Sequence, residues 1–341
     1  MKPKSTIPKD KSGATAFDKA AGIRSMLNWR NLKELFIRGA LIIVIVVMFV
    51  IFWAIEPRFF MMNNMMNIMR QISFNGILVV GMVIVIIAGG TNLSVGSTAA
   101  LTCVLSFMMV RQGISLWLVV LAAIGVGAVC GAVCGLFVAY GKVPAFILTL
   151  GVGISIRGVA MLLCGGRQLS GQYPPAFANI ASGYVLGLPN LFWILMIVVV
   201  LGIVVTKCTV FGKWIYAAGG NAEAARLAGI NVAFVKLLTF VISGALAGLV
   251  GLLISSRTCL GDPTVAEGFD LTAVATSVIG GASLSGGVGG VFGGLLGSII
   301  IGTMSNGFAF LMIPPLYQNV MEGIIVVAAV FWDTKSKSLK H

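Results

Sequence analysis

The residues able to do chemistry are few, and their spacing is wrong for catalysis. The only histidine is His341, so no histidine-based nucleophile or metal site is available within the body of the chain. Cys103, Cys164, Cys208 and Cys259 are isolated, and Cys130 and Cys134 stand four apart in a glycine-rich apolar run. None has metal-ligand spacing, and all six read as packing residues. The nearest approach to a phosphate-binding loop, Gly135 to Val143 (GLFVAYGKV), has one residue too many between its glycines and no Ser or Thr after Lys142. The chain is therefore expected not to be an enzyme and not to hydrolyse ATP by itself, and no metal or cofactor is expected. Met61, Met62, Met65 and Met66 could attract copper, but with no His or Cys beside them they read as an amphipathic cluster at an interface.

The elements that must position any site are apolar. Of 341 residues, 58% are hydrophobic and 10% charged, against about 25% charged in a soluble domain. The apolar residues form uncharged runs such as Ala40 to Ile55 and Leu116 to Tyr140. A helix of roughly 20 residues crosses a hydrocarbon core about 30 Å thick. A transmembrane barrel would alternate in polarity at every second residue, and these runs do not. The net charge of +13 invites a nucleic-acid reading, but its placement argues for topology instead: nine of the 23 basic residues lie between Lys2 and Arg38, and Lys335, Lys337 and Lys340 follow the last run. No nucleic-acid partner is expected. The polar segment ahead of the first run reads as a cytoplasmic tail and not as a cleaved signal peptide.

Ten apolar segments can be drawn, near 38–56, 72–90, 96–111, 115–140, 144–164, 189–206, 232–255, 271–285, 288–312 and 317–332. The fold class expected is an all-α polytopic membrane protein of about ten transmembrane helices with both termini cytoplasmic. That orientation puts Lys142, Lys207, Lys213, Arg226 and Lys236 in inside loops, and Arg58, Arg70, Arg111, Arg167 and Arg257 outside. With the tails included, 17 basic residues lie inside and 5 outside, as the positive-inside rule requires. The third and eighth segments are short, and the second ends at Gly89 and Gly90 before a polar stretch. Such segments are either broken helices lining a path or tight loops between spans. Glycines at four-residue spacing, Gly127/Gly131/Gly135, Gly244/Gly248 and Gly286/Gly290/Gly294, read as close-packing seams that could also let helices slide. Only Arg157, Asp270 and Glu322 are ionisable at plausible membrane depth. Arg157 either braces a helix or serves a site.

Between the sixth and seventh segments, Asn221 is a good N-cap and Gly229 a good stop around a short helix, Ala222 to Ala228, with Glu223 at the positive end of its dipole. Seven residues are too few for a stable free helix, so something is expected to pack on it, either a partner or the protein's own inner surface.

Three blocks now carry a resemblance: GGNAEAARLAGI (Gly219 to Ile230), GGTNLSVGS (Gly89 to Ser97) and VIGGASLSGGVGGVFGGLLGSIIIG (Val278 to Gly302). With VPAFILTLG (Val143 to Gly151) and AAVFWD (Ala328 to Asp333), they make residues 37 to 334 similar to the permeases of bacterial ABC sugar importers of the ribose, xylose, arabinose and galactoside type. The sequence departs from the pattern at Asn92, where the family usually has Asp; at Asp270–Ala273, where ELDA is common; and at Glu322, where a basic residue is frequent. The resemblance implies a multi-pass protein of the bacterial cytoplasmic (inner) membrane, with a permease domain over 37–334 between cytoplasmic tails 1–36 and 335–341. It implies three partners: a cytoplasmic ATP-binding subunit, a soluble sugar-binding protein outside and a second permease copy. The ATP-binding subunit would meet Gly219, Gly220, Asn221, Glu223, Ala224, Ala225, Arg226 and Gly229. The translocation path for a small sugar is expected at Asn75, Asn92, Ser94, Ser97, Phe146, Thr149 and Arg157. The amide, hydroxyl and aromatic groups among them suit a sugar's hydroxyls and ring faces, although each polar residue could equally make an interhelical hydrogen bond. The alternative is an ion- or proton-coupled secondary carrier. A membrane enzyme lacks an activated nucleophile, and a receptor or scaffold would transport nothing.

Overall fold

The computed structural model of the protein describes residues 39, 41–314, 317, 320, 323, 324 and 327. The described residues from 44 onward belong to one compact unit, and residues 39 and 41–43, described as helix, to another. The tails 1–36 and 335–341, Glu322 and most of the segment 317–332 lie outside the described residues.

Helix α1 (Leu41–Ile55) precedes α2 (Met62–Ile87), α3 (Val95–Arg111), α4 (Leu116–Ala139) and α5 (Ala145–Cys164). Then come α6 (Pro175–Ser182), a small hairpin of β1 (Tyr184–Val185) and β2 (Leu188–Pro189), α7 (Asn190–Ile203), α8 (Val210–Gly220) and α9 (Ala222–Leu227). Next come α10 (Val232–Thr258), α11 (Phe269–Ile279) and α12 (Val291–Phe310), and the described residues 317, 320, 323, 324 and 327 are also helical. Among the described residues, six helices are long and apolar enough to cross a membrane: α2, α4, α5, α7 with its π-helical extension to Cys208, α10 and α12. α1, α3 and α11 are shorter apolar helices.

Each expected segment up to residue 312 coincides with a helix, but several boundaries move. α2 begins at Met62 and not near residue 72, so Met62, Met65 and Met66 belong to its first turns and not to a connection. α11 stops at Ile279 because Gly280 and Gly281, the latter at φ +88°, turn the chain. Gly286 and Gly290 therefore lie in the loop before α12 and not in a helical seam with Gly294. Helices α6 and α8 and the hairpin were not expected. α8 carries Gly212 and Lys213 within eleven residues, too little apolar length to register as a span.

α2 is the axis of the bundle. Every residue from Asn75 to Ile87 is buried, and α12, α10, α7 and α11 pack around it. α10 forms the second axis, against α4, α3, α2 and α6. The seams between these helices are made by glycine. A Cβ on Gly127 would overlap the Gly244 carbonyl oxygen, one on Gly131 the Phe240 carbonyl oxygen, and one on Gly251 the Ala99 carbonyl oxygen. Between α11 and α12, Gly280 and Gly293 exclude a Cβ from each other in the same way. In hydrocarbon there is no hydrophobic drive to join helices, so such backbone approach supplies the packing that holds them. α4 and α5 turn most of their surface outward; Trp117 and Leu162 are each 82% exposed, as lipid-facing residues would be.

The connections sort into two groups by contact. At one end, Arg70 meets the Tyr184 hydroxyl and stacks on its ring, Arg257 Nη1 donates to Ser182 Oγ (3.2 Å), and Gln168 Nε2 donates to Asp262 Oδ2 (2.6 Å). Leu169 and Gly261 exchange backbone hydrogen bonds of 2.8 and 2.9 Å there. At the other end the segments at Ile87–Gly89, Gly219 and Gly286–Gly287 meet.

The α4–α10 seam gives a direct test. Gly131→Leu should destabilise the detergent-solubilised protein by about 2 kcal/mol through overpacking, lowering its thermal unfolding midpoint. Gly125→Leu on the outer face of α4, where a Cβ meets nothing within 4 Å, should leave the midpoint unchanged.

Candidate functional site

The chain breaks between α2 and α3, and the polar residues there are arranged to make that break possible. Gly89 takes φ +79° just past the end of α2, and residues 90–94 lie outside any helix until α3 begins at Val95. The exposed backbone groups of such a break must be bonded internally in a membrane. Asn92 is fully buried, and its Oδ1 accepts from Ser94 N (3.2 Å) and from Ser94 Oγ (2.7 Å), closing a turn that starts α3. Its Nδ2 donates to Ser243 Oγ on α10 (3.1 Å). Leu93 N donates to Thr149 Oγ1 on α5 (3.0 Å), whose own hydroxyl donates to Ala145 O (2.8 Å). Ser94 Oγ also lies 3.5 Å from Cys134 Sγ on α4. The break is thus tied to α4, α5 and α10 at once.

Ser97 is half-buried beside this knot, next to the space above Gly153 on α5. Three of the other expected path residues stand apart. Asn75 lies about 18 Å from the end of α2 along its axis, where Nδ2 donates to Thr276 Oγ1 (3.3 Å) and Oδ1 is buried without a partner. Phe146 is 56% exposed on the outward face of α5. Arg157 lies two turns beyond Thr149 and donates from Nη1 to Pro263 O (2.9 Å) and Val265 O (3.3 Å), in the loop that leads to α11. The structure therefore brings together Asn92, Ser94, Ser97 and Thr149, adds Ser243 and Cys134 to them, and keeps Asn75, Phe146 and Arg157 at separate stations. Ser243 gave no sequence signal beyond a serine in an apolar run.

The two short helices begin against one another. A Cβ on Gly96, at the start of α3, would meet Ala266 O at 2.5 Å and Asp270 Oδ1, at the start of α11, at 3.3 Å. α3 and α11 are about 25 and 16 Å long, short of a full span, so they present N-terminal ends where the bundle is broken. Asp270 at this meeting interacts electrostatically with Arg157 and Glu267.

A second feature lies at the end of the bundle where Gly219 and Gly287 meet. α9 runs from Ala222 to Leu227, one residue shorter than the sequence suggested, with Ala228 as its C-cap. Asn221 Oδ1 accepts from Ala224 N (2.9 Å) and Gly229 takes φ +81°, so both ends are satisfied as expected. Ala225 is buried in the core, whereas Glu223, Ala224 and Arg226 are exposed, with Glu223 and Arg226 paired at 3.3 Å. Leu227 is 84% exposed. It had not been singled out, and its position on the face opposite Ala225 is what marks it.

These features are those of an all-α polytopic membrane protein: apolar helices joined at glycine seams, a broken helix secured by neutral polar groups, and a capped helix displayed at one end. The family described as the branched-chain amino acid transport system / permease component matches residues 64–330, and the chain belongs to it. It is 40% identical to the ribose import permease protein of Haemophilus influenzae, over 85% of this chain and 91% of that one. It is 37% identical to the ribose import permease protein of Escherichia coli K12 (87% and 93% covered) and 33% identical to the xylose transport system permease protein of H. influenzae (87% and 96%). No solved structure matches the chain.

Asn92→Ala should leave Ser94 N and Ser243 Oγ without their partner in a buried site. The expected cost is about 2 kcal/mol, read as a lower thermal midpoint in detergent, while Phe146→Ala on the exposed face should not move it.

Proposed function

We propose that the chain is the permease subunit of an ATP-driven, binding-protein-dependent importer of the bacterial inner membrane, passing a monosaccharide or similar small polyol. The observation that carries this reading is the near full-length similarity to ribose and xylose permeases. The same relationship speaks against an ion- or proton-coupled carrier. ATP hydrolysis then resides on a separate cytoplasmic subunit, a soluble sugar-binding protein delivers substrate from outside, and a second permease copy completes the path. The permease domain spans 37–334 as about ten transmembrane helices, with the tails 1–36 and 335–341 and both termini cytoplasmic, as the basic residues favour.

The work of such a subunit is mechanical. Asn92, Ser94 and Thr149 are sealed in the state described, so their role is to hold the break closed and to offer hydroxyl and amide groups when α5 and α10 separate. Ser97, Arg157, Asn75 and Phe146 supply further stations for a hydroxylated solute. Neutral groups suit it, because contacts worth about 1 kcal/mol each release as readily as they bind. The segment Gly219, Gly220, Asn221, Glu223, Ala224, Ala225, Arg226 and Gly229 forms the docking element for the ATP-binding subunit. Ala225 anchors it from beneath, and Leu227 with the Glu223–Arg226 pair meets the partner.

Purification from native membranes in mild detergent tests the docking. An ATP-binding subunit should accompany the wild type, and Leu227→Arg should reduce its recovery by at least about tenfold, as loss of an exposed apolar anchor does. Absence of such a subunit from the wild type would overturn the importer reading. Uptake of labelled ribose, xylose and leucine separates the sugar reading from the amino-acid one in the family description. Asn92→Ala, Ser94→Ala and Thr149→Ala should each alter the uptake kinetics, and unchanged kinetics in all three would move the path elsewhere.

A further inference from the structure

A short backbone crossing joins the segment that carries the docking helix to the end of α2, just ahead of the break at Asn92. α8 leads into α9, and its penultimate residue, Gly219, lies against the Ile87 carbonyl so closely that a Cβ there would overlap the oxygen. That same carbonyl, at the last residue of α2, accepts from Gly287 N (2.8 Å) in the loop before α12. Gly286 (φ +84°) brings its Cα to Gly89 and to the Gly219 carbonyl, at 3.0 and 2.6 Å for a Cβ built on it, and Gly287 (φ +72°) does the same toward Gly220. The crossing is pinned by Tyr216 of α8, whose hydroxyl donates to Gly289 O (2.8 Å). Five glycines from three segments, Gly89, Gly219, Gly220, Gly286 and Gly287, thus interlock by backbone alone.

We infer that this glycine clasp is the positioning device that carries displacement of the docking helix to the broken helix: Gly219 moves with α9, and Ile87, five residues before Asn92, moves with Gly219. The inference rests on the docking role proposed for α9. Three features make the crossing a transmitter. It is contiguous in sequence with the docking helix through Gly220 and Asn221. It grips α2 at its last residue, where α2 yields to the turn at Gly89. It also holds the α11–α12 loop, so α2 and α12 are pulled together. Backbone-to-backbone contact has no rotamer freedom in which to dissipate a displacement, and packed arrangements of this kind switch between discrete positions rather than deform.

The test uses the complete complex of this chain with the ATP-binding subunit that accompanies it, in detergent, with and without a non-hydrolysable ATP analogue. Hydrogen–deuterium exchange is followed at two peptides, one covering 221–230 and one covering 88–96. In the wild type the nucleotide should change exchange at both. In Gly287→Ala, where a Cβ would meet Gly220 Cα at 2.6 Å and φ is +72°, and in Tyr216→Phe, the subunit should still co-purify and the 221–230 response should persist. The 88–96 response should be lost in Gly287→Ala and weakened in Tyr216→Phe, with sugar uptake per ATP hydrolysed falling about tenfold in Gly287→Ala. An undiminished 88–96 response and unchanged uptake per ATP in an assembled Gly287→Ala complex overturn the inference while leaving the docking role intact. Should Gly287→Ala fail to assemble, Tyr216→Phe decides: coupling equal to the wild type overturns the inference, and a several-fold loss with normal assembly upholds it. If the wild type brings down no ATP-binding subunit, the docking role fails and the inference falls with it.

Discussion

The constraint on which the rest of this structure depends is that a backbone inside hydrocarbon has no water to bond to. An unbroken helix meets that condition without help, and most of this bundle is built so. The stretch between Gly89 and Val95 does not meet it, and nearly every buried polar side chain near it is occupied in repairing the deficit. Asn92 supplies an acceptor for Ser94 N, Thr149 supplies one for Leu93 N, and the Ile87 carbonyl finds its donor in Gly287. Four other elements are thereby committed to one break: α4, α5, α10 and the loop before α12.

The second consequence concerns packing. With lipid as apolar as leucine, helices associate through close contact and not through exclusion of water. α4 meets α10 through Gly127, Gly131, Gly244 and Gly248, and α11 meets α12 through Gly280 and Gly293. The surfaces left outward on α4 and α5 carry large apolar side chains such as Trp117, Leu121, Ile154 and Leu162. Glycine alone does not mark a seam: on α4, Gly125 faces open space and Gly127 faces a carbonyl.

In the path proposed for this chain, neutral chemistry is enough for a passage. A charge held at depth needs a partner, and Arg157 finds carbonyls at Pro263 and Val265. An amide or hydroxyl can be satisfied by one neighbour, exchange it for a solute hydroxyl and return. Asn92, at a position where the family usually carries Asp, fits that economy: its Oδ1 keeps the turn onto α3 and its Nδ2 adds a donor to Ser243 that a carboxylate would lack.

Long apolar runs, the absence of a catalytic set, the glycine spacing of α4 and α10, and the caps of α9 were all legible in the sequence, because each depends on residues within a few turns of one another. Helix length against bilayer thickness and N-cap chemistry are local matters. Contacts between residues far apart in sequence were not legible. Nothing in the spacing of Gly219, Gly287 and Ile87 announced that they cross, and Ser243 is one serine among many until α10 is laid beside Asn92. The reading of Gly286, Gly290 and Gly294 as one helical seam failed for the same reason: a four-residue period is shared by seams and by glycine-rich turns, and only the positive φ values at Gly281 and Gly286 separate them. The sequence by itself determined that the chain lives in a membrane and roughly where its long apolar helices lie. Only the tertiary structure decided which polar groups share one knot and which stand alone, because pairing across 50 to 200 residues is settled by packing and not by local preference.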